Sequence, residues 1–184
     1  MPWIYLREIR IITLDDIERM KINVITIFPE IFEVPLNTGI LGRACRTGIV
    51  DMNIYDLRQF SDGKHGMVDD APYGGGPGMV MMPQPMFDAV ESLVLPPNSP
   101  VILLTPQGQT LSQKMATELS KEDNLTFLCG RYDGVDERIT ENLVTLELSI
   151  GDYVLTGGEI PALVAIDTIV RLIPEAVGKG EEGI

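Results

Sequence analysis

The chain has 184 residues, of which 45% are hydrophobic, and a net charge of −13 at neutral pH. This length and apolar content suffice for one domain with one core, whereas no apolar run approaches the roughly 20 residues that span a bilayer. The first twenty residues lack the features of a signal peptide, so we expect a cytoplasmic protein without membrane association. The acidic balance disfavours a protein that binds nucleic acid unaided, because phosphate contacts require clustered Lys and Arg.

The two cysteines, Cys45 and Cys129, are far apart in the sequence, and His65 is the single histidine. A zinc site needs several such ligands at short spacing, and a disulfide framework needs more cysteines. We therefore predict no metal site and two unpaired thiols.

Short β-branched runs alternate with helical patterns along the chain. The first strand is predicted at 21–28, followed after Pro29 by a helix near 30–37. Pro161 fits the first turn of the last helix and Pro174 its end. The remaining predicted strands are 49–55, 101–104, 125–129 and 143–150, and the remaining predicted helices are 111–120 and 159–173. This order predicts an α/β fold with a mostly parallel sheet and helices on both faces.

The segment 69–79, with the sequence DDAPYGGGPGM, is rich in glycine and contains two prolines. Glycine lets other groups approach the main chain closely, while proline fixes the backbone. The segment is therefore an ordered loop and not a flexible linker. Two interpretations stay open for it: a ligand-binding loop, or a tight connection between packed elements.

Three predicted strands run into unusual loops, which are 105–108 (TPQG), 130–134 (GRYDG) and 151–158 (GDYVLTGG). Ligands of parallel sheets bind outside the carboxyl ends of the strands. Each loop offers glycine backbone beside polar or aromatic groups, which suits a flat, polar small molecule. Because neither a G-x-G-x-x-G nor a P-loop motif is present, an ordinary dinucleotide or triphosphate site is disfavoured.

These motifs together resemble one family. The segments TIFPEIF (26–32), DDAPYGGGPGM (69–79), TPQG (105–108), CGRYDG (129–134), VDER (135–138) and SIGDYVLTGGE (149–159) occur in the order seen in bacterial tRNA (guanine-N1)-methyltransferases, the TrmD family of the SPOUT class. The resemblance implies a deep C-terminal trefoil knot, a homodimer, and S-adenosylmethionine as cofactor. It implies methyl transfer to N1 of the guanosine on the 3′ side of the tRNA anticodon.

The resemblance also implies roles for individual residues. Arg171 matches the family arginine that supports transfer, and Asp70 is the first candidate among these residues for a base that removes the N1 proton. Tyr73, Pro77 and Gly78 would contact the target guanosine. The implied cofactor-binding residues are Thr105, Pro106, Gly130, Tyr132, Ile150, Gly151, Asp152, Tyr153, Val154 and Leu155.

The chain departs from the family pattern at both ends. We expect residues 1–19 to be an extension without function, 20–178 to be the SPOUT domain, and 179–184 to begin an interdomain linker that is cut short. The family continues into a basic C-terminal domain, and an aspartate in its linker is the expected base, so we expect weak turnover from the short chain. Two alternatives stay open: an inactive, dimeric S-adenosylmethionine-binding module, or a SPOUT enzyme that acts on another RNA site.

Overall fold

The computed structural model describes residues 19–62, 66–72, 74–75 and 77–177. The predictions for residues 1–18, His65, Tyr73 and 178–184 lie outside these ranges. The strands are β1 (Met20–Thr26), β2 (Val50–Asp56), β3 (Asp69–Asp70), β4 (Val80–Met81), β5 (Val101–Thr110), β6 (Asn124–Cys129) and β7 (Leu146–Ser149). The α-helices are α1 (Gly39–Arg46), α2 (Pro83–Ser92), α3 (Gln113–Leu119), α4 (Glu137–Asn142) and α5 (Glu159–Val170).

Five strands form one sheet in the order β2-β1-β6-β5-β7. Every neighbouring pair in this sheet is parallel, which confirms the predicted parallel arrangement. All six residues of β6 are buried, as expected for a central strand that is covered on both faces. The short strands β3 and β4 pair antiparallel outside the sheet.

Helices cover both faces of the sheet, as predicted. Ile22 and Val24 of β1 point into a core with α1, α3 and α5, whereas Ile25 of the same strand points into a second core with α2 and α4. The alternation within β1 follows from the two-residue period of a strand. In the ranges described above, no helix has both the length and the apolar character needed to cross a membrane.

The helix predicted near 30–37 is wrong. Two 3₁₀ turns, Pro29–Phe32 and Pro35–Asn37, occupy this segment, and the α-helix begins only at Gly39. Pro35 lacks a backbone N–H and its ring would clash with the preceding turn, so one continuous helix cannot form. The helix α2 was not predicted, because prolines at its first and third positions hide its helical pattern.

The ends of several predicted elements also differ. The strand predicted at 101–104 continues as β5 to Thr110, with a shift of register between Leu104 and Gln109, both of which pair with Leu148 of β7. Residues 105–108 therefore form a bulge within a strand and not a loop after it. The bulge still lies at the carboxyl edge of the sheet. The last helix is shorter than predicted and has Arg171 as its C-terminal cap.

Candidate functional site

The three unusual segments meet in one cleft at the carboxyl edge of the sheet. Its volume is about 410 Å³, which lies in the range of about 300 to 1,000 Å³ typical of small-molecule sites. The walls are the β5 bulge, the loop after β6, and the segment after β7, with α4 and the first turn of α5 closing the ends. The convergence predicted from the parallel strands is thus present in the structure.

Most of the residues assigned to the cofactor line this cleft. They are Thr105, Pro106, Gly130, Tyr132, Ile150, Gly151, Tyr153, Val154 and Leu155. Asp152 is exposed and is not among the residues that line the cleft. Four charged residues also line the cleft and were not predicted from the sequence: Arg131, Asp133, Glu137 and Glu147. Arg131 and Asp133 could have been predicted, since both belong to the CGRYDG motif.

Hydrogen bonds within the segment 150–157, hereafter the β7 loop, shape one wall. The Gly151 N–H donates to Ser149 Oγ (3.2 Å), whose hydroxyl donates to the Gly151 carbonyl (2.9 Å). The Tyr153 hydroxyl donates to the Ile150 carbonyl (3.2 Å). A Cβ atom on Gly151 would overlap the Tyr153 ring, so any other residue at this position would displace the ring from its bond to Ile150.

A buried ion pair joins the start of α5 to the loop after β6. Arg131 Nε donates to Glu159 Oε2 (2.9 Å), and the Glu159 side chain is fully buried. Thr26 Oγ1 donates to the other carboxylate oxygen of Glu159 (2.8 Å). Arg131 Nη1 donates to the Thr156 carbonyl (3.2 Å), and its guanidinium lies 4.5 Å from the centroid of the Phe28 ring, a distance typical of cation–π contact.

The glycine-rich segment is a hairpin whose stem is β3 and β4. The Met79 N–H donates to Asp133 Oδ2 and the Asp133 N–H donates to the Met79 carbonyl, both at 3.1 Å. Gly78 has φ of +106°, and a Cβ atom there would overlap the Asp133 carboxylate. Two further backbone bonds connect Met81 to Gly134 and Asp136, each 3.0 Å long. The hairpin is thus held directly against the cleft loop.

The candidate substrate and catalytic residues lie outside the cleft. Asp70, Pro77 and Gly78 lie on the hairpin and do not line the cleft. The Asp70 carboxylate is exposed and accepts a hydrogen bond from the Ala71 N–H (2.7 Å). Arg171 follows the last residue of α5, whereas the cleft contacts the first turn of this 12-residue helix. At 1.5 Å per residue, one chain alone does not bring Arg171 to its own cleft.

Two titratable groups near the cleft have shifted pKa values. Burial raises the pKa of the Cys129 thiol well above its usual value; nearby Glu159 adds to the rise and Arg131 opposes it. The thiol therefore stays neutral and is a poor nucleophile. The hydrogen bond from Arg138, with Nε 2.8 Å from Asp136 Oδ1, lowers the pKa of Asp136. Asp136 also caps α4 by accepting from the Arg138 N–H.

The fold defines an α/β protein of the parallel-sheet class, with a cleft of the size of small-molecule sites at the carboxyl edge of its sheet. The sequence profile of the family described as tRNA (Guanine-1)-methyltransferase TrmD matches residues 20–183. The chain therefore belongs to the TrmD family.

Individual relatives agree with this assignment. The chain is 54% identical over 159 residues to a tRNA (guanine-N(1)-)-methyltransferase of Brevibacillus brevis, covering 86% of this chain and 65% of that protein. It is equally similar to the protein of the same name from Dictyoglomus turgidum, of which it covers 64%. It thus spans just under two thirds of the length of both. The crystal structure of the tRNA (m1G37) methyltransferase from Aquifex aeolicus matches with a TM-score of 0.80 and 40% identity, over 90% of this chain and 75% of that one.

Proposed function

We propose that this chain transfers a methyl group from S-adenosylmethionine to N1 of the guanosine on the 3′ side of the tRNA anticodon. The observation that carries the proposal is the single cleft formed by the three family motifs, with the glycine-rich hairpin bound to one of its walls. Membership of the TrmD family and the names of the relatives support the reaction class. The cytoplasm is the proposed location, because tRNA is present there.

The residues of the cleft suit S-adenosylmethionine. Glycine backbone at Gly130 and Gly151 can approach a flat adenine closely, and the exposed ring of Tyr132 offers an aromatic surface. The carboxylates of Asp133, Glu137 and Glu147 also line the cleft, and negative charge complements a ligand that carries a sulfonium and an ammonium group. When bound, the cofactor supplies a methyl group on a good leaving group.

The chain's own residues then have to hold the guanine and accept its proton. N1 of guanine is protonated, so a carboxylate base near N1 and a cation near O6 are required. The proposed contacts to the guanosine are four residues of the glycine-rich segment: Asp70, Tyr73, Pro77 and Gly78. The proposed base within this chain is Asp70, because its exposed carboxylate is free to face an incoming nucleotide.

We propose that the protein works as a homodimer in which the partner copy supplies Arg171 to the cleft. Arg171 lies at the far end of α5 from the cleft of its own chain, which supports this. The segment 153–164 also exposes the apolar side chains of Tyr153, Val154, Leu155, Ile160 and Val164, and such a concentration is typical of an interface. Light scattering should give the mass of two chains; a monomer at micromolar concentration would contradict the arrangement.

The trefoil knot belongs to the same proposal. The chain leaves β7 at the sheet edge and returns to the end of β6, where the Gly158 N–H donates to the Gly130 carbonyl (2.9 Å). It then continues as α5, which packs with α1 and α3 in one core. This return across the loop after β6 is the feature that supports the knot.

The test combines ligand binding with methyl transfer. Calorimetry with S-adenosylhomocysteine measures the affinity of the cleft for the ligand. The rate of methyl transfer is measured on two tRNA transcripts, one with guanosine and one with adenosine on the 3′ side of the anticodon. Binding plus methylation of the guanosine transcript alone is expected. Binding without methylation of either transcript indicates a binding module, methylation of both indicates another RNA site, and absence of binding contradicts the whole proposal.

A variant makes the binding measurement specific. Gly151→Val places its side chain where the Tyr153 ring now lies, so the ring must leave the cleft wall and give up its bond to the Ile150 carbonyl. Affinity for S-adenosylhomocysteine should fall at least about tenfold, the equivalent of one lost hydrogen bond to a charged group. Asp152→Ala is the matched control, because Asp152 belongs to the same loop but does not line the cleft. Wild-type affinity in Gly151→Val would contradict the assigned site.

A further inference from the structure

The buried ion pair between Arg131 and Glu159 has no evident role in stability. Taking two charges out of water costs free energy that their attraction only partly returns, and replacing such pairs by apolar side chains is often neutral or stabilising. Glu159 is fully buried, and Arg131 is partly buried with 19% of its side chain exposed. The pair therefore calls for an explanation other than stability.

The position of the pair suggests that explanation. It connects three segments that are distant in sequence: Thr26 at the end of β1, Arg131 after β6 and Glu159 at the start of α5. Arg131 in addition binds the Thr156 carbonyl and forms an isolated bridge with Gly157. We call Thr26, Arg131 and Glu159 the clasp.

The β7 loop has few attachments to the rest of the protein. Its beginning is fixed by the bonds between Ser149 and Gly151. Its end is fixed by the Arg131 side chain and by the backbone bond from the Gly158 N–H to the Gly130 carbonyl (2.9 Å). Among the described residues, no hydrogen bond ties 152–155 to the opposite wall of the cleft. Val154 and Leu155 are exposed, so apolar packing within the chain holds this stretch only weakly.

We propose that the clasp positions the β7 loop for ligand binding, with Arg131 and Glu159 as positioning residues. Their side chains fix the distance between the two walls that the ligand must contact together. The ligand is S-adenosylmethionine or S-adenosylhomocysteine, so the effect on ligand binding rests on the proposed function. The attachment of the loop does not rest on it, because that attachment is a property of the ligand-free protein.

The main test removes both charges together. In the double variant Arg131→Met, Glu159→Leu, no unpaired buried charge is left, and the side chains stay close in volume. Because the buried Thr26 hydroxyl loses its acceptor, we expect a modest fall in the unfolding midpoint. Hydrogen exchange is measured without ligand at the Tyr153 and Gly158 amides, which donate to the Gly151 and Gly130 carbonyls. It should accelerate at least about tenfold, because local opening becomes easier when tertiary contacts are lost. The dissociation constant for S-adenosylhomocysteine should rise by at least a similar factor.

The matched control is the double variant Lys114→Met, Glu118→Leu. It removes the exposed ion pair of α3 (3.9 Å), which lies outside the cleft, and should change neither exchange nor affinity. A second clasp variant, Glu159→Asp, keeps the charge but is one methylene too short to reach Thr26 and Arg131 together. It should reproduce the faster exchange and weaker binding even if the double variant does not fold.

The outcomes separate the clasp from the proposed function. Wild-type exchange at the Tyr153 and Gly158 amides in both clasp variants would overturn the clasp, as would faster exchange with unchanged affinity. Faster exchange throughout the protein would show that the pair serves stability instead. If the wild type itself fails to bind S-adenosylhomocysteine, the proposed function fails, while the exchange measurement still decides whether the clasp holds the loop.

Discussion

Gly158 is a position where one added methyl group would press directly on the backbone of a neighbouring element. An alanine Cβ would lie 2.7 Å from Cys129 Cα, 3.0 Å from the Gly130 nitrogen and 3.1 Å from the Cys129 carbonyl carbon. Non-bonded carbon atoms normally lie about 3.5 to 4.0 Å apart. All three neighbours are backbone atoms, so no side chain can rotate away. The start of α5 must therefore move from the end of β6 by almost an ångström.

The expected loss of stability follows from two contributions. Overpacking in a well-packed region costs about 1 to 3 kcal/mol, and the bond from the Gly158 N–H to the Gly130 carbonyl (2.9 Å) contributes about 1 kcal/mol when it is made. Gly158→Ala should thus lower the free energy of unfolding by roughly 2 to 4 kcal/mol. For a domain of this size, the melting temperature should drop by about 5 to 15 °C.

Gly130→Ala provides the control on the opposite side of the same contact. Its Cβ would meet only Val135 Cγ1 at 3.5 Å and the Leu104 carbonyl at 3.9 Å, which are ordinary contacts, so stability should change by no more than about 0.5 kcal/mol. Urea unfolding followed by circular dichroism measures both variants. Wild-type stability in Gly158→Ala, or equal losses in the two variants, would refute the reasoning.

Two further predictions concern the hairpin and the buried thiol. Gly78→Ala should break the bond between Met79 and Asp133 and reduce tRNA methylation at least about tenfold. Its affinity for S-adenosylhomocysteine should be retained. Gly75→Ala, whose methyl group meets nothing within 4 Å, is the control in the same assays. Because the pKa of Cys129 is raised, its contribution to stability is present below about pH 9 and lost above it, by up to about 1.4 kcal/mol per pH unit. Urea unfolding at pH 8 to 10 should show a shallower decline in Cys129→Ala; equal slopes would contradict this.

The sequence predicted the sheet and the edge that carries the site, because both depend on local patterns. Central strands such as β6 are short apolar runs, and their carboxyl ends converge whatever the loops contain. Two of the missed elements, α1 and α2, begin near prolines at Pro35 and Pro83. Proline is compatible both with a break in a helix and with the first turn of one, so the pattern alone did not decide between them.

The contacts inside the site were not predictable in the same way. Arg131 and Glu159 are 28 residues apart, and the hairpin residue Met79 is 54 residues from Asp133. No periodicity links such positions. The family motifs contain most of the segments that line the cleft, but they did not distinguish the lining residues from exposed residues outside the lining, such as Asp152. Only the folded structure shows which residues of a motif line the cleft.

The loop after β6 explains why these motifs belong together. Arg131 binds the β7 loop at Thr156 and the start of α5 at Glu159. Asp133, two residues later, binds the hairpin at Met79. Tyr132 lies between them with φ of +61°, a conformation that costs a non-glycine residue energy and persists where surrounding contacts enforce it. Contacts on both sides thus fix the backbone of one short loop. A shift of the hairpin therefore moves the loop after β6, which also holds the β7 loop. The positions of the hairpin and of the β7 loop cannot vary independently.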